Sequence, residues 1–367
     1  MTIAQRILIC FHDFPYGGTE RIAIAMAKYW VEAGRDVAIL CGTEAGVQRA
    51  TVDPRVPVYE LDPPITRSAL SRFKLGREMG KRLGECAPDL IFLPGNFHLF
   101  LANNLRKADP RPAIALKISN PPVAKGVTAP LEKAIFRHFA AGVDALAPMN
   151  TGLARDLRAM LPNKSVTTLY DPIFVTPPTA RQPRTSAKRQ ILWAGRLEPQ
   201  KDVPLALATI KALNAHTPAH LTLLGDGSLR AQTERQITAM GLSDCVTLAG
   251  HVPSIDGYLA NADALLITSH FEGGPAVAVE ALAHGVPLVS TDCSYLLHDI
   301  LTDPAAGQIV SSRTPAALAD ALAVVSATRP AAATLRTIIE PFDPARCAQA
   351  YLDWFDEIIV HRRGATP

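Results

Sequence analysis

Residues 264–292 limit the folds open to this chain more than any other segment. The apolar stretch Ala264-Leu265-Leu266-Ile267 leads through Ser269-His270-Phe271-Glu272 to Gly273-Gly274-Pro275. A nearly unbroken apolar run, Ala276-Val277-Ala278-Val279-Glu280-Ala281-Leu282-Ala283, comes next, and after His284-Gly285 the chain turns apolar again at Leu288-Val289. The first stretch has the length of a buried parallel strand. Two glycines allow a sharp turn, Pro275 suits the first helical position, and Gly285 suits the residue just past a helix end. The segment reads as strand, glycine turn, helix, strand, the repeating unit of a parallel α/β sheet.

The helix expected over 275–284 carries Ala and Val on every face, with only Glu280 and His284 polar. Such a helix should be buried, and a buried carboxylate needs a partner. A structural salt bridge would satisfy Glu280, and so would a ligand. The glycine turn presents free backbone N–H groups at a helix N-terminus, a ready anion site, and a second carboxylate, Glu272, stands just before it. A phosphate on those N–H groups, with hydroxyls reaching a carboxylate on each side, describes a sugar nucleotide.

Seven residues separate Glu272 from Glu280, in the frame Ser-x-x-Glu-Gly-x-Pro…Glu-Ala-x-Ala-x-Gly-x-Pro-x-Val. The segment resembles the Glu-x7-Glu signature of retaining glycosyltransferases of family 4, the glycosyl transferases group 1. The resemblance implies the GT-B fold: α/β, with two facing Rossmann-like domains and the donor site in the interdomain cleft.

Other parts of the chain fit this frame. Hydrophobic residues make up 48% of the 367 and charged residues 19%, which suits a soluble globular protein long enough for two cores. No uncharged apolar run reaches the roughly 18 residues of a membrane span, and the N-terminal run Ile7-Leu8-Ile9-Cys10-Phe11 is too short for a signal peptide. Six widely spaced cysteines without a Cys-x-x-Cys point to a reducing cytosol, with neither a zinc site nor a disulfide frame. The formal charge of +3 is uneven: residues 1–180 carry the positive excess and residues 181–367 are net acidic.

The chain opens with a strand at 6–11, a glycine turn, a helix with Ile22, Ala23, Met26, Ala27 and Trp30 at helical spacing, and a second strand at 37–40. The turn holds no Gly-x-Gly-x-x-Gly, which argues against a dinucleotide cofactor there. Gly17-Gly18-Thr19-Glu20-Arg21 instead resembles the Gly-Gly-x-Glu-Arg that opens many family 4 chains and lines the cleft near the donor phosphates; a plain helix-capping turn is the alternative. Further strands are expected at 90–93, 113–118, 143–147 and 166–170. Ligands gather at the carboxyl ends of parallel strands, so the loops carrying Asn96, His98 and Asn120 should face the cleft. Some relatives place a His where Ser119-Asn120 falls and use it near the donor sugar; it is absent here, Asn120 is only a candidate, and His98 reads as an ordinary loop histidine. Residues 67–82 combine Leu70, Phe73, Leu75 and Met79 with six basic residues. They read either as a solvated helix packed on the domain or as a segment on an anionic membrane surface, where each basic residue contributes about 1 kcal/mol.

The Pro- and Thr-rich stretch 176–189 reads as a linker. It divides an N-terminal acceptor-binding domain, 1–175, from a C-terminal nucleotide-sugar domain, 190–341, and residues 342–367 are expected to form a terminal helix crossing back to the first domain, plus a tail. The second domain restarts with a strand and Gly195-Arg196-Leu197-Glu198-Pro199-Gln200-Lys201-Asp202, similar to the family's Gly-Arg-Leu-x-Pro-x-Lys-Gly with Asp202 in place of the last Gly. The resemblance assigns Arg196 and Lys201 to the donor diphosphate, and an Arg fork with a Lys ammonium suits two negative charges. Gly225-Asp226-Gly227 matches a Gly-x-Gly near the base, and Val252 follows the next strand. After Thr291-Asp292 the sequence Cys293-Ser294-Tyr295 departs from the relatives' Gly-containing turn and Glu.

The resulting expectation is a retaining transferase that moves a sugar from a UDP- or GDP-sugar to a glycan or lipid-linked acceptor in cell-envelope polysaccharide or glycoconjugate synthesis. Arg196, Lys201 and Glu272 are the candidate catalytic residues. Gly17, Gly18, Val252, Gly273, Gly274, Pro275 and Glu280 complete the donor site, with Glu280 on the ribose hydroxyls and Glu272 on the donor sugar. No Asp-x-Asp occurs, so no metal and no cofactor beyond the donor is expected, and no nucleic acid. The expected location is the cytoplasm, with residues 67–82 as the point of contact for the inner face of the plasma membrane. A GT-B-fold sugar-nucleotide epimerase and a non-catalytic sugar-nucleotide-binding subunit are the alternatives.

Overall fold

The structure, a computed structural model, describes residues 3–15, 17–68, 71–123, 126–174 and 187–364. Leu70 and all of the expected linker up to residue 186 lie outside them. The described residues form two units, one of residues up to Pro172 together with Asp343 onward, the other of Ile173–Phe342.

Unit 1 is built on seven strands: β1 (Arg6–Phe11), β2 (Asp36–Cys41), β3 (Val58–Glu60), β4 (Leu90–Leu93), β5 (Ala113–Ile118), β6 (Ala145–Pro148) and β7 (Ser165–Val166). All pairings are parallel, in the order β3-β2-β1-β4-β5-β6-β7. Helices α1 (Gly18–Glu32), α2 (Ser71–Cys86), α3 (Ala102–Ala108), α4 (Ala129–Ala140) and α5 (Thr151–Met160) connect them. The last expected strand is shorter than 166–170, because only Ser165 and Val166 pair with β6. β4 is apolar and buried at every position, as a strand covered on both faces must be.

Unit 2 has six strands: β8 (Arg189–Ala194), β9 (Ala219–Leu224), β10 (Val246–Gly250), β11 (Ala264–Ile267), β12 (Leu288–Thr291) and β13 (Gly307–Val310). They too are parallel, ordered β10-β9-β8-β11-β12-β13. Its helices are α6 (Val203–Asn214), α7 (Arg230–Ala239), α8 (Asp256–Asn261), α9 (Ala276–Ala283), α10 (Tyr295–Ile300), α11 (Pro315–Val325) and α12 (Ala332–Ile339). The chain re-enters unit 1 as α13 (Pro344–Gly364). There Tyr351, Trp354 and Phe355 are buried, and the rings of Tyr351 and Phe355 meet Trp30 and Phe92 with centroids 5.2–6.1 Å apart. Where the chain enters and leaves unit 2, the Ile173 amide donates to the Phe342 carbonyl at 3.0 Å.

Both sheets are doubly wound, and in each the strand order reverses once, between β1 and β4 in unit 1 and between β8 and β11 in unit 2. Ligands of open α/β sheets bind outside the carboxyl ends of the strands at that reversal. In unit 2 the loops there are 195–202 and 268–275, and in unit 1 they are 12–17 and 94–98.

Candidate functional site

The loop after β8 is shaped by backbone contact with its neighbour. Gly225 sits at φ +125°, and a Cβ there would fall 1.9 Å from the Gly195 carbonyl oxygen; one on Gly227 would fall 2.5 Å from that of Leu197. The glycines of the Gly-x-Gly turn therefore let two turns touch. The Leu197 amide donates to the Asp226 carbonyl (2.9 Å), and the Glu198 carboxylate accepts from the Ser228 amide (3.0 Å) and hydroxyl (2.8 Å). Those bonds from Ser228, aided by the Arg196 charge, hold the Glu198 carboxyl below its usual range. Arg196 itself is exposed, and its guanidinium makes no hydrogen bond among the described residues.

Lys201 and Glu272 meet across the reversal, Nζ 2.5 Å from Oε1. The Ser269 hydroxyl donates to the same oxygen at 2.6 Å, and Gln200 Nε2 donates to the Phe271 carbonyl at 2.8 Å. The sequence reading sent Lys201 to a diphosphate and Glu272 to a sugar; the structure joins them directly. The Glu272 amide donates to the Cys293 carbonyl (2.7 Å), and the Ser294 hydroxyl donates to the Gly273 carbonyl (3.1 Å) while capping α10. The departure after Thr291 thus serves as a brace for the Glu272–Gly273 turn. The amides of Gly273 and Gly274 donate to no described residue.

Two expectations for this segment need correction. Pro275 is the N-cap of α9, at ψ 98°, and the helix begins at Ala276; the extended ψ turns the chain before the first helical residue. The helix is also not wholly buried, since Glu280 is partly exposed on the flank away from Ala278, Val279 and Ala281–Ala283. His284 is the buried polar group, with Nδ1 3.0 Å from the Glu280 carbonyl and Nε2 3.3 Å from Asp256. Val252 lies partly buried just beyond β10.

Asp202 occupies the position of the family's Gly and adopts the left-handed conformation that Gly favours, φ 49° and ψ 57°. Its side chain caps α6 by accepting from the Leu205 amide, and its other oxygen lies 2.6 Å from Arg313 Nη2. Arg313 also donates to the Ser269 (2.8 Å) and Thr268 (3.0 Å) carbonyls. Arg313, Ser294 and Gln200 were not singled out from the sequence. Ser269 stands in the Ser-x-x-Glu frame that carries the family resemblance.

In unit 1, Gly17 caps α1 and Gly18 is its first residue. Asn96 ties the loops after β4 and β5, accepting from the Ser119 and Asn120 amides and donating to the Asn120 carbonyl. His98 is not an ordinary loop histidine. It is 4% exposed, and burial, with the charge of nearby Arg67, lowers its pKa to about 3. Expected site residues therefore fall in both units, Gly17 and Gly18 in unit 1 and the rest in unit 2. The pairs brought into contact are those of unit 2.

Two doubly wound parallel-sheet units, the second carrying cations and glycine-turn amides at its strand reversal, make up the GT-B fold. Residues 179–337 match the family model of glycosyl transferases group 1. The chain is 31% identical over 188 residues to the glycogen synthase of Mycobacterium tuberculosis strain H37Rv, a match covering 48% of this chain and 45% of that protein, so the chain spans about half the length of such relatives. Its fold superposes on the lipopolysaccharide outer core galactosyltransferase WaaB in its apo form with a TM-score of 0.76, at 19% identity over 97% of this chain and 99% of WaaB. Anabaena HepE in complex with UDP and glucose gives a TM-score of 0.68 at 17% identity, over 98% of this chain and 100% of HepE.

Proposed function

We propose that the protein is a metal-independent retaining glycosyltransferase of the family 4 type. It transfers a sugar from a UDP- or GDP-sugar to a glycan or lipid-linked acceptor in cell-envelope polysaccharide or glycoconjugate synthesis. The observation that carries this reading is the set of groups at the strand reversal of unit 2: Arg196, the Lys201–Glu272 pair and the undonated amides of Gly273 and Gly274. The group 1 match over the same residues and the UDP and glucose bound by HepE support it.

In retaining transfer the anomeric carbon loses a nucleoside diphosphate, and stabilising the charge that develops on it is the main catalytic task. Arg196 supplies a fork with no other hydrogen bond to break. Lys201 turns from Glu272 to the diphosphate as it arrives, and Glu272, still held by Ser269, accepts from the donor sugar's hydroxyls. Glu280 takes the ribose hydroxyls, and the glycine amides hold a phosphate oxygen. The leaving phosphate then accepts the acceptor's proton on the same face, which preserves the anomeric configuration.

No helix among the described residues is long and apolar enough to cross a membrane. For lipid-linked acceptors we assign membrane contact, at the cytoplasmic face, to α2. Leu75 and Met79 are buried, whereas Phe73 is 41% exposed among basic residues and packs on Phe139 of α4, where Leu131 and Ile135 are also exposed.

The test is a thermal-shift panel of UDP-, GDP- and ADP-sugars, with the anomer released by slow hydrolysis read by proton NMR. One base should stabilise the protein and the released sugar should keep the donor's configuration. A protein that no donor stabilises, or an inverted product, would overturn the reading.

A further inference from the structure

The strand reversal of unit 1 carries a site of its own. A cavity of about 230 Å³ opens there, lined by His12, Arg67, Ser71, Arg72, Phe97 and His98 among others. It is smaller than the roughly 300 Å³ of a drug-sized pocket and suits a single sugar ring or acidic group. His12, Ser71 and His98 are each no more than 6% exposed.

The charges around it are unevenly matched. Arg67 is committed, with Nη2 2.5 Å from Asp13 and 3.4 Å from Glu20. Arg72 has no carboxylate within 4 Å among the described residues; its guanidinium lies over Phe100 at 4.2 Å and Phe73 at 5.3 Å, and its buried Nε makes no hydrogen bond. A partly buried guanidinium is ordinarily paired with an anion, and ring faces compensate it only in part. The imidazoles add hydrogen-bonding capacity. His12 Nε2 bonds the Ile65 carbonyl at 2.9 Å, and His98 Nδ1 is buried with no partner, its Nε2 3.9 Å from Glu20. Phe97, 70% exposed, offers an apolar face at the rim.

Resting on the transferase reading, we propose that this pocket binds the acceptor and that the acceptor carries a phosphate or carboxylate seated on Arg72. The histidines then face sugar hydroxyls, and Phe97 covers the ring.

Glycerol 3-phosphate and glucuronate, with glycerol and glucose as neutral controls, would be titrated into the full chain by saturation-transfer NMR, in wild type, Arg72→Gln, Arg72→Lys and Arg196→Ala. The anionic probes should bind wild type and Arg196→Ala alike and weaken at least tenfold in Arg72→Gln. Arg72→Lys should recover part of the loss, which separates lost charge from lost folding. Equal binding to wild type and Arg72→Gln, no preference for the anionic probes, or a loss confined to Arg196→Ala would overturn the proposal, the last because it places the anion at the donor site. Vesicles containing phosphatidic acid that compete with glycerol 3-phosphate would identify the anion as a lipid headgroup; phosphate binding without competition would identify a soluble glycan. The donor thermal shift of Arg72→Gln is read separately: if the probes bind through Arg72 and no nucleotide sugar stabilises the chain, the pocket stands and the transferase reading falls.

Discussion

Arg196 is exposed and its guanidinium makes no hydrogen bond among the described residues, so its removal should separate chemistry from stability. Surface substitutions away from structural features change stability by about 0.5 kcal/mol or less, whereas losing one preformed donor to a developing anion costs about 2.7–4 kcal/mol in the barrier. Arg196→Ala should therefore lower kcat by about 10²–10³ with an unchanged Tm, and comparable kcat in mutant and wild type would remove Arg196 from the site. His98 makes a prediction about pH. Its folded-state pKa of about 3 lies below the ordinary 6.5, so between those values the unfolded chain takes up a proton that the folded chain refuses. Stability present above about pH 6.5 is lost as pH falls through that window, by about 1.4 kcal/mol per unit at the steepest. Urea unfolding at pH 7, 6 and 5 should show this slope, and His98→Asn should flatten it by up to one proton; an unaltered slope would mean that another group carries the acid sensitivity.

At the level of elements, Asp202 links β8 to α6 through a left-handed backbone, a helix cap and an ion pair with Arg313. Glycine is at ease in that backbone and a fair N-cap, while alanine is neither. Asp202→Ala should thus destabilise by about 1–2 kcal/mol more than Asp202→Gly, although alanine is the better helix former. Equilibrium denaturation of the two variants gives the order, and the reverse order would mean that helix propensity outweighs the left-handed strain. This element also shows what sequence alone could convey. The apolar runs at 90–93 and 264–267 were readable as strands because parallel strands are covered on both faces, and the signature glycines marked the turns. Asp202 was visible only as a departure. What it does depends on Arg313, 111 residues away, and no local period encodes such a contact. The same holds for Ser294 on Gly273. His98 misled because a loop position suggests exposure, whereas it sits on a 3-10 turn, Asn96–Leu101, whose His98, Leu99 and Leu101 are buried.

Across the whole molecule, the groups proposed to hold the donor lie in unit 2, and a ligand that binds only native protein at 100 times its Kd stabilises what it binds by about 2.7 kcal/mol. Saturating nucleotide sugar should slow amide exchange in β8, β11, β12 and the loops 195–202 and 268–275 first. Protection gained first in β1 to β4 would assign the donor to unit 1. The chain's passage between units has a further consequence, for synthesis. Unit 2 is one continuous stretch, Ile173–Phe342, whereas the core of unit 1 takes Tyr351, Trp354 and Phe355 from α13 to close around Trp30 and Phe92. On the ribosome, where folding usually proceeds from the N-terminal end, the order is inverted: the second unit has all its residues while the first still waits, with Trp30 uncovered, for a helix translated after it.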